Sequence, residues 1–231
     1  MSQLRVLVTG GGRGIGRAIA LCFAREGAKV VVAARTSTEI DAVVAEIAAA
    51  GGQGLAAQMN VRDRGSVEAA VWRATQFTGD ALDVVVNNAG VFEPRPFREL
   101  DQETWERHLE VNLRGAWYVT DEVLDALEDG ERPHLFNIAS TAARQGFAHN
   151  VAYCASKYAL RGFGDALREE LRERGVRVST VYPGATDTGI WDGVPGDWDR
   201  AAMKRPEDVA AVVWEAYRAP DGEDVADLDV P

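Results

Sequence analysis

Tyr153-Cys154-Ala155-Ser156-Lys157 sets a phenol and an ammonium at i and i+4, so on a helix both project from one face. A phenol ordinarily titrates near about 10, too high for efficient proton transfer at neutral pH. A fixed cation beside it stabilises the phenolate and would make Tyr153 a usable general acid or base. Taken alone, Tyr-x-x-x-Lys is equally the pattern of an exposed surface pair. The chain uses lysine only at positions 29, 157 and 204, against 22 arginines, so Lys157 marks a place where a guanidinium would not serve. Ser140, at the end of a predicted strand, could donate a hydrogen bond to a substrate carbonyl oxygen. Asn112 falls among Leu109, Val111 and Leu113 in a predicted long helix, where an amide either caps a kink or serves a site. Gly115 close behind it points to a distorted helix.

A second set of residues suits phosphate. Val6-Leu7-Val8-Thr9 reads as a strand, and Gly10-Gly11-Gly12-Arg13-Gly14-Ile15-Gly16 leads from it directly into an apolar-periodic helix. Glycines 10, 14 and 16 permit a sharp turn, close approach of backbone to a pyrophosphate, and tight helix–strand packing. The free amides at the helix N-terminus favour the phosphate charge. The strand–turn–helix setting is what gives a glycine triplet meaning.

Both sets depend on the elements that hold them. Strands are predicted at 4–9, 29–33, 54–59, 83–88, 134–140, 177–182 and 225–230, with helices between most of them. The helix near 14–26 stops at Gly27. The next opens on Thr36-x-x-Glu39, a capping box, and ends at Gly51-Gly52. Asp63 would cap a third helix, marked by Val67, Val71, Ala74 and Phe77, and two long helices are predicted near 102–128 and 151–174. Strict β–α alternation implies a doubly wound α/β fold, a mostly parallel seven-stranded sheet covered on both faces. Ligands bind such sheets beyond the carboxyl ends of the strands. Thr9-Gly10, Ala34-Arg35, Asn87-Asn88-Ala89-Gly90, Ser140 and Tyr182-Pro183-Gly184 all fall at such ends.

The 231 residues, 46% hydrophobic and 26% charged, suit one globular domain spanning 1–231. A net charge of −11 argues against nucleic acid and anionic membrane as partners. No stretch reads as a signal peptide or a bilayer span, and Cys22 and Cys154 read as reduced thiols, so a cytoplasmic protein is expected. His108 and His149 lack companions at metal-ligand spacing, and no metal site is expected. The tail carboxylates Glu223, Asp224 and Asp227 read as solvated.

Thr9-Gly10-x-x-x-Gly14-x-Gly16, Asn87-Asn88-Ala89-Gly90, Asn112, Ser140, Tyr153-x-x-x-Lys157 and Pro183-Gly184 together resemble the short-chain dehydrogenase/reductase family, in order and at its spacing from about Leu4 to Thr188. The resemblance implies a Rossmann-like fold with Tyr153 as general acid/base and Ser140 orienting the carbonyl. Lys157 would hold the nicotinamide ribose while lowering the Tyr153 pKa, and Asn112 would hold a relay water. It implies cofactor contacts at Gly10, Arg13, Gly14, Ile15, Gly16, Arg35, Asn60, Val61, Asn88, Ala89, Gly90, Tyr153, Lys157, Pro183, Gly184, Thr186 and Thr188. Asn60 stands where the family commonly has Asp, and Thr186 where an aliphatic residue is usual.

The end of the second strand, Ala33-Ala34-Arg35, lacks the carboxylate that would bind a ribose 2′-hydroxyl, with none before Glu39. Arg35 and Arg13 would instead attract a 2′-phosphate, which points to NADP(H). The expected activity is NADPH-dependent hydride transfer to a ketone or aldehyde, or the reverse alcohol oxidation. A 3-oxoacyl-type reductase of the same family and a non-catalytic NADPH-sensing regulator are the alternatives. The 188–205 stretch, with Trp191 and Trp198, resembles the family's substrate lid. A homodimer or homotetramer built on the two long helices is expected. Phe92, Phe97, Trp191 and Trp198 are left open between core or subunit packing and substrate contact.

Overall fold

A computed structural model describes residues 3–220, 222, 223 and 225–231. The elements alternate as β1 (Arg5–Thr9), α1 (Gly14–Arg25), β2 (Lys29–Ala34), α2 (Ser37–Ala49), β3 (Gln53–Gln58), α3 (Arg64–Thr78) and β4 (Val84–Asn87). There follow α4 (Gln102–Leu109), a π turn (Glu110–Arg114), α5 (Gly115–Glu128), β5 (His134–Ile138), α6 (Val151–Leu171), β6 (Arg177–Tyr182), α7 (Pro206–Arg218) and β7 (Asp227–Asp229). The seven strands form one sheet in the order β3-β2-β1-β4-β5-β6-β7, and every pairing is parallel.

A parallel sheet covered on both faces needs strands apolar on both sides, which is why Val6, Leu7 and Val8 are all fully buried. Val6, Val8, Val30, Val32, Val84 and Val86 face Ile19 and Phe23 of α1, Ile40 and Ile47 of α2, and Val209 and Val213 of α7. Leu7, Val31, Val85 and Leu135 face Val67 and Val71 of α3, Val119 and Val123 of α5, and Leu171 of α6.

Four sequence expectations are altered. The predicted capping box of α2 is not made, since Thr36 makes no side-chain cap bond and Glu39 turns instead toward Gly12 and Arg13. The predicted 102–128 helix is split at Asn112 by the π turn, in line with the distortion expected there. The last strand is three residues long, Asp227–Asp229, in register with Thr180–Tyr182 of β6. Asp227 is exposed, as a solvated carboxylate is, but it also accepts the Tyr182 hydroxyl at 2.5 Å, while the Arg144 guanidinium lies 3.6 Å from the centre of the Tyr182 ring. Asp224 lies outside the described residues. Asp63 caps α3 as expected, accepting from the Gly65 and Ser66 amides. Cys22 on α1 and Cys154 on α6 are free.

Candidate active site

The sheet order reverses between β1 and β4, and a cleft of about 240 Å³, open to solvent, lies beyond their carboxyl ends. The side chain of Thr9, buried at the end of β1, ties the two strands together. Its hydroxyl donates to the Val86 carbonyl at 3.1 Å and accepts from the Asn88 and Ala89 amides at 3.0 and 3.1 Å. Asn88 returns the favour through Nδ2, which donates to the carbonyls of Thr9 and Gly10 at 2.9 and 3.2 Å. Glycine is forced twice in this crossing. Gly10 has φ +62°, and a Cβ on Gly16 would stand 2.3 Å from the Gly10 carbonyl oxygen. α1 starts at Gly14 with no side-chain cap from Arg13, so its first amides remain available to an anion beside the cleft.

The far wall is built by α6 and the π turn. Asn112 Oδ1 accepts from the Val91 amide at 2.8 Å, and its Nδ2 donates to the Val91 carbonyl at 3.0 Å and to Ser156 Oγ at 2.9 Å. Ser156 in turn donates to the Tyr153 carbonyl at 2.7 Å, so the first turn of α6 is bolted to the π turn. Both amide protons of Asn112 are spent on protein partners, so its side chain fixes the π turn against α6. Lys157 is buried and donates from Nζ to the Ile138 carbonyl at 2.8 Å, with Nζ 5.7 Å from the centre of the Tyr153 ring. Ser140 caps the short turn Thr141–Ala143 and hydrogen-bonds Tyr153.

The electrostatics correct one expectation. Burial pushes the Tyr153 phenol up to about 12, and the Ser140 hydrogen bond only partly opposes it. Burial also pushes the Lys157 ammonium down to about 8. Desolvation of both groups therefore outweighs the lowering of Tyr153 expected from its lysine neighbour. His108, fully buried, has its ring centre 6.2 Å from that of Tyr153; Nδ1 meets the Thr104 carbonyl at 2.8 Å and Nε2 accepts the Glu93 amide at 3.2 Å. Burial holds it below the usual histidine range, and the neutral ring fixes the Phe92–Glu93 loop beside the site.

Of the residues expected from sequence, Gly10, Arg13, Gly14, Ile15, Arg35, Asn60, Val61, Asn88, Ala89, Gly90, Tyr153, Lys157 and Thr188 line this cleft together. Gly16, Asn112, Ser140, Pro183, Gly184 and Thr186 do not line it. Gly16 and Asn112 act through the contacts above, and Thr186 is buried with its hydroxyl on the Gly184 carbonyl at 3.1 Å. Sequence reasoning missed Met59, Val91, Val111, Ile138 and Ile190, apolar lining whose only signal was adjacency to a strand end or to a chosen residue. It also passed over Glu39, which lines the cleft with its carboxylate 3.9 Å from Arg13.

The sequence profile of the short chain dehydrogenases matches residues 5–197. The chain belongs to the short-chain dehydrogenase/reductase family. It is an oxidoreductase of the hydride-transferring kind that works on CH–OH and C=O groups. A sepiapterin reductase of Chlorobaculum tepidum is 34% identical over 222 residues, 93% of this chain and 90% of that protein. A 3-oxoacyl-[acyl-carrier-protein] reductase of Synechocystis is 35% identical over 213 residues, covering 90% of this chain and 86% of that protein. The alcohol dehydrogenase of the archaeon Thermococcus sibiricus, solved with 5-hydroxy-NADP, superposes with a TM-score of 0.91 at 27% identity, over 99% of this chain and 96% of that one.

Proposed function

We propose that this chain is an NADPH-dependent carbonyl reductase, or the reverse alcohol dehydrogenase, for neutral ketones and aldehydes. The observation that carries the reading is a single cleft with Tyr153 and Lys157 at one end and Arg13 and Arg35 near the glycine loop. The residues present fit the nucleotide: the uncapped start of α1 offers amides to a pyrophosphate, and the forced glycines keep its approach clear. Among the described residues Arg35 has no ion-pair partner, so it would take the 2′-phosphate, whereas Arg13 shares its charge with Glu39. Asn60 and Val61 would meet the adenine, Ala89 and Gly90 the ribose, and Thr188 the carboxamide. Pro183, Gly184 and Thr186 would shape the turn that presents Thr188.

Bound NADPH supplies the hydride. Ser140 orients the substrate carbonyl, Tyr153 gives its proton to the substrate oxygen, and Lys157 holds the ribose hydroxyls and opposes phenolate charge as the proton leaves. The 188–205 segment would close over these groups. Its base is held by Lys204, whose amide donates to the Ala185 carbonyl at 2.9 Å and whose carbonyl accepts from the Asp187 amide at 2.8 Å. Trp117 on α5 and Tyr158 on α6, both exposed, support a homo-oligomer through those helices. Among the described residues no helix is long and apolar enough to cross a membrane. A cytoplasmic location belongs to the same reading.

The test follows NADPH oxidation by absorbance over a panel of ketones and aldehydes. Tyr153→Phe should keep NADPH affinity and lose about 10²–10⁴ in kcat. Retained turnover would remove Tyr153 from the chemistry, and NADPH binding without turnover of any carbonyl by the wild type would favour a sensor. Arg35→Ala should weaken NADPH about tenfold or more beyond its effect on NADH, the size of a lost charge-assisted hydrogen bond. Equal losses would refute the 2′-phosphate assignment.

A further inference from the structure

Three aromatic residues near the site have no part in the chemistry above. Phe92 packs edge-on against Tyr153, with ring centres 4.8 Å apart and planes at 71°. Trp191, from the 188–205 segment, packs on Phe92 at 5.1 Å and 65°. Trp198 continues the series, 4.8 Å from Trp191 and tilted by 49°. The rings thus run without a break from the proton donor to the protein surface, where Trp198 is exposed.

The Trp191 ring is held in place from two sides. Its indole N–H donates to the Thr186 carbonyl at 2.9 Å. Arg200 anchors the backbone next to it, binding Asp187 at 2.5 Å, Asp192 at 3.4 Å and the Thr188 carbonyl at 3.0 Å. On the opposite rim, the Glu93 carboxylate is taken up by Arg95 and Arg107. The carboxylate next to Phe92 in the chain is therefore already paired, which disfavours selection of a cationic substrate.

We propose that Phe92 and Trp191 form a slot for a planar aromatic ring, so that the preferred substrate is a neutral ketone or aldehyde carrying its carbonyl directly on such a ring. The inference rests on the carbonyl-reductase reading. A ring entering between Trp191 and Phe92 gives up their edge-to-face contact. A flat ring entering the gap restores ring-to-ring contact on both sides. An alkyl chain or puckered ring covers area but offers no π face. Phe92 also packs on the Tyr153 ring, so a carbonyl borne directly on the bound ring would be the one closest to the proton donor.

Acetophenone, cyclohexyl methyl ketone and 2-octanone have the same number of carbons and separate planarity from ring shape and from size. With NADPH in excess, kcat/KM for acetophenone should exceed both others by about tenfold or more, the scale of one aromatic pair. Trp191→Leu and Phe92→Leu, checked for fold by circular dichroism, should each bring the ratios to within about threefold of unity. Equal kcat/KM values in the wild type, or a preference that survives both substitutions, would overturn the slot. Should none of the three be reduced, the carbonyl-reductase reading fails and the slot is judged by calorimetry on the NADPH complex. Acetophenone should then bind the wild type about tenfold more tightly than Trp191→Leu, and equal affinities would overturn it.

Discussion

Burial holds the Lys157 ammonium down to about 8 against an ordinary 10.5. Below pH 8 the cofactor-free fold carries a desolvated charge. Between the two values the native chain releases the proton while the unfolded chain keeps it, so unfolding free energy rises with pH across that window, by up to about 3 kcal/mol. Above pH 10 the raised Tyr153 acts with the opposite sign, because the unfolded chain ionises first. Lys157→Met should abolish the rise. Urea titrations of both proteins from pH 7 to 10.5 should show the stability difference shifting steadily in favour of the wild type, and a constant difference would contradict the burial argument. The Tyr153–Lys157 pairing was legible once the spacing was read with the scarcity of lysine, Ser140 and Asn112. The direction of each shift was not, because it depends on what covers the two groups.

At the scale of elements, the π turn decides where the chemistry sits. It brings Asn112 inward to join Val91, after β4, to Ser156 in the first turn of α6. Gly115 follows it because a Cβ there would stand 2.7 Å from the Val61 side chain. Asn112→Leu takes from the Val91 amide and carbonyl their side-chain partner and from the Ser156 hydroxyl one of its two partners, at a cost of about 1–3 kcal/mol in stability. With the Tyr153 turn loosened, kcat should fall by about tenfold or more while the NADPH dissociation constant moves less than about twofold. A change confined to stability would reduce Asn112 to a kink cap. The odd amide and the nearby glycine announced the distortion in the sequence. Its partners, 21 and 44 residues away, could come only from the fold.

Across the whole molecule, stability and function are carried at opposite ends of the sheet. At the amino ends, buried Asp83 accepts from the Arg5 amide, Nε and Nη2 and from the Glu131 amide, each at 2.9 Å. Removing one partner of a buried pair leaves an uncompensated charge, so Asp83→Ala should cost about 3–5 kcal/mol. At temperatures where the variant stays folded, kcat and the preference for NADPH should match the wild type, measured by thermal melts beside steady-state kinetics. A loss of kcat in the folded variant would show that the two ends are coupled.

By itself the sequence determined the fold class, the family and the residues that could do acid–base chemistry. These are properties of local pattern: apolar runs and helical periods specify β–α alternation, and a short motif carries its own spacing. Tertiary structure decided everything that depends on desolvation and on contacts between distant segments. It took Glu39 from the predicted capping box to the cleft wall and gave the exposed Asp227 a partner in the Tyr182 hydroxyl. It made the Asn112 side chain a bolt between the π turn and α6. It also joined Phe92 to Trp191, 99 positions apart in the chain, which no period or motif could have paired. Burial and packing depend on which surfaces the folded sheet brings face to face, and that information is spread over the whole chain.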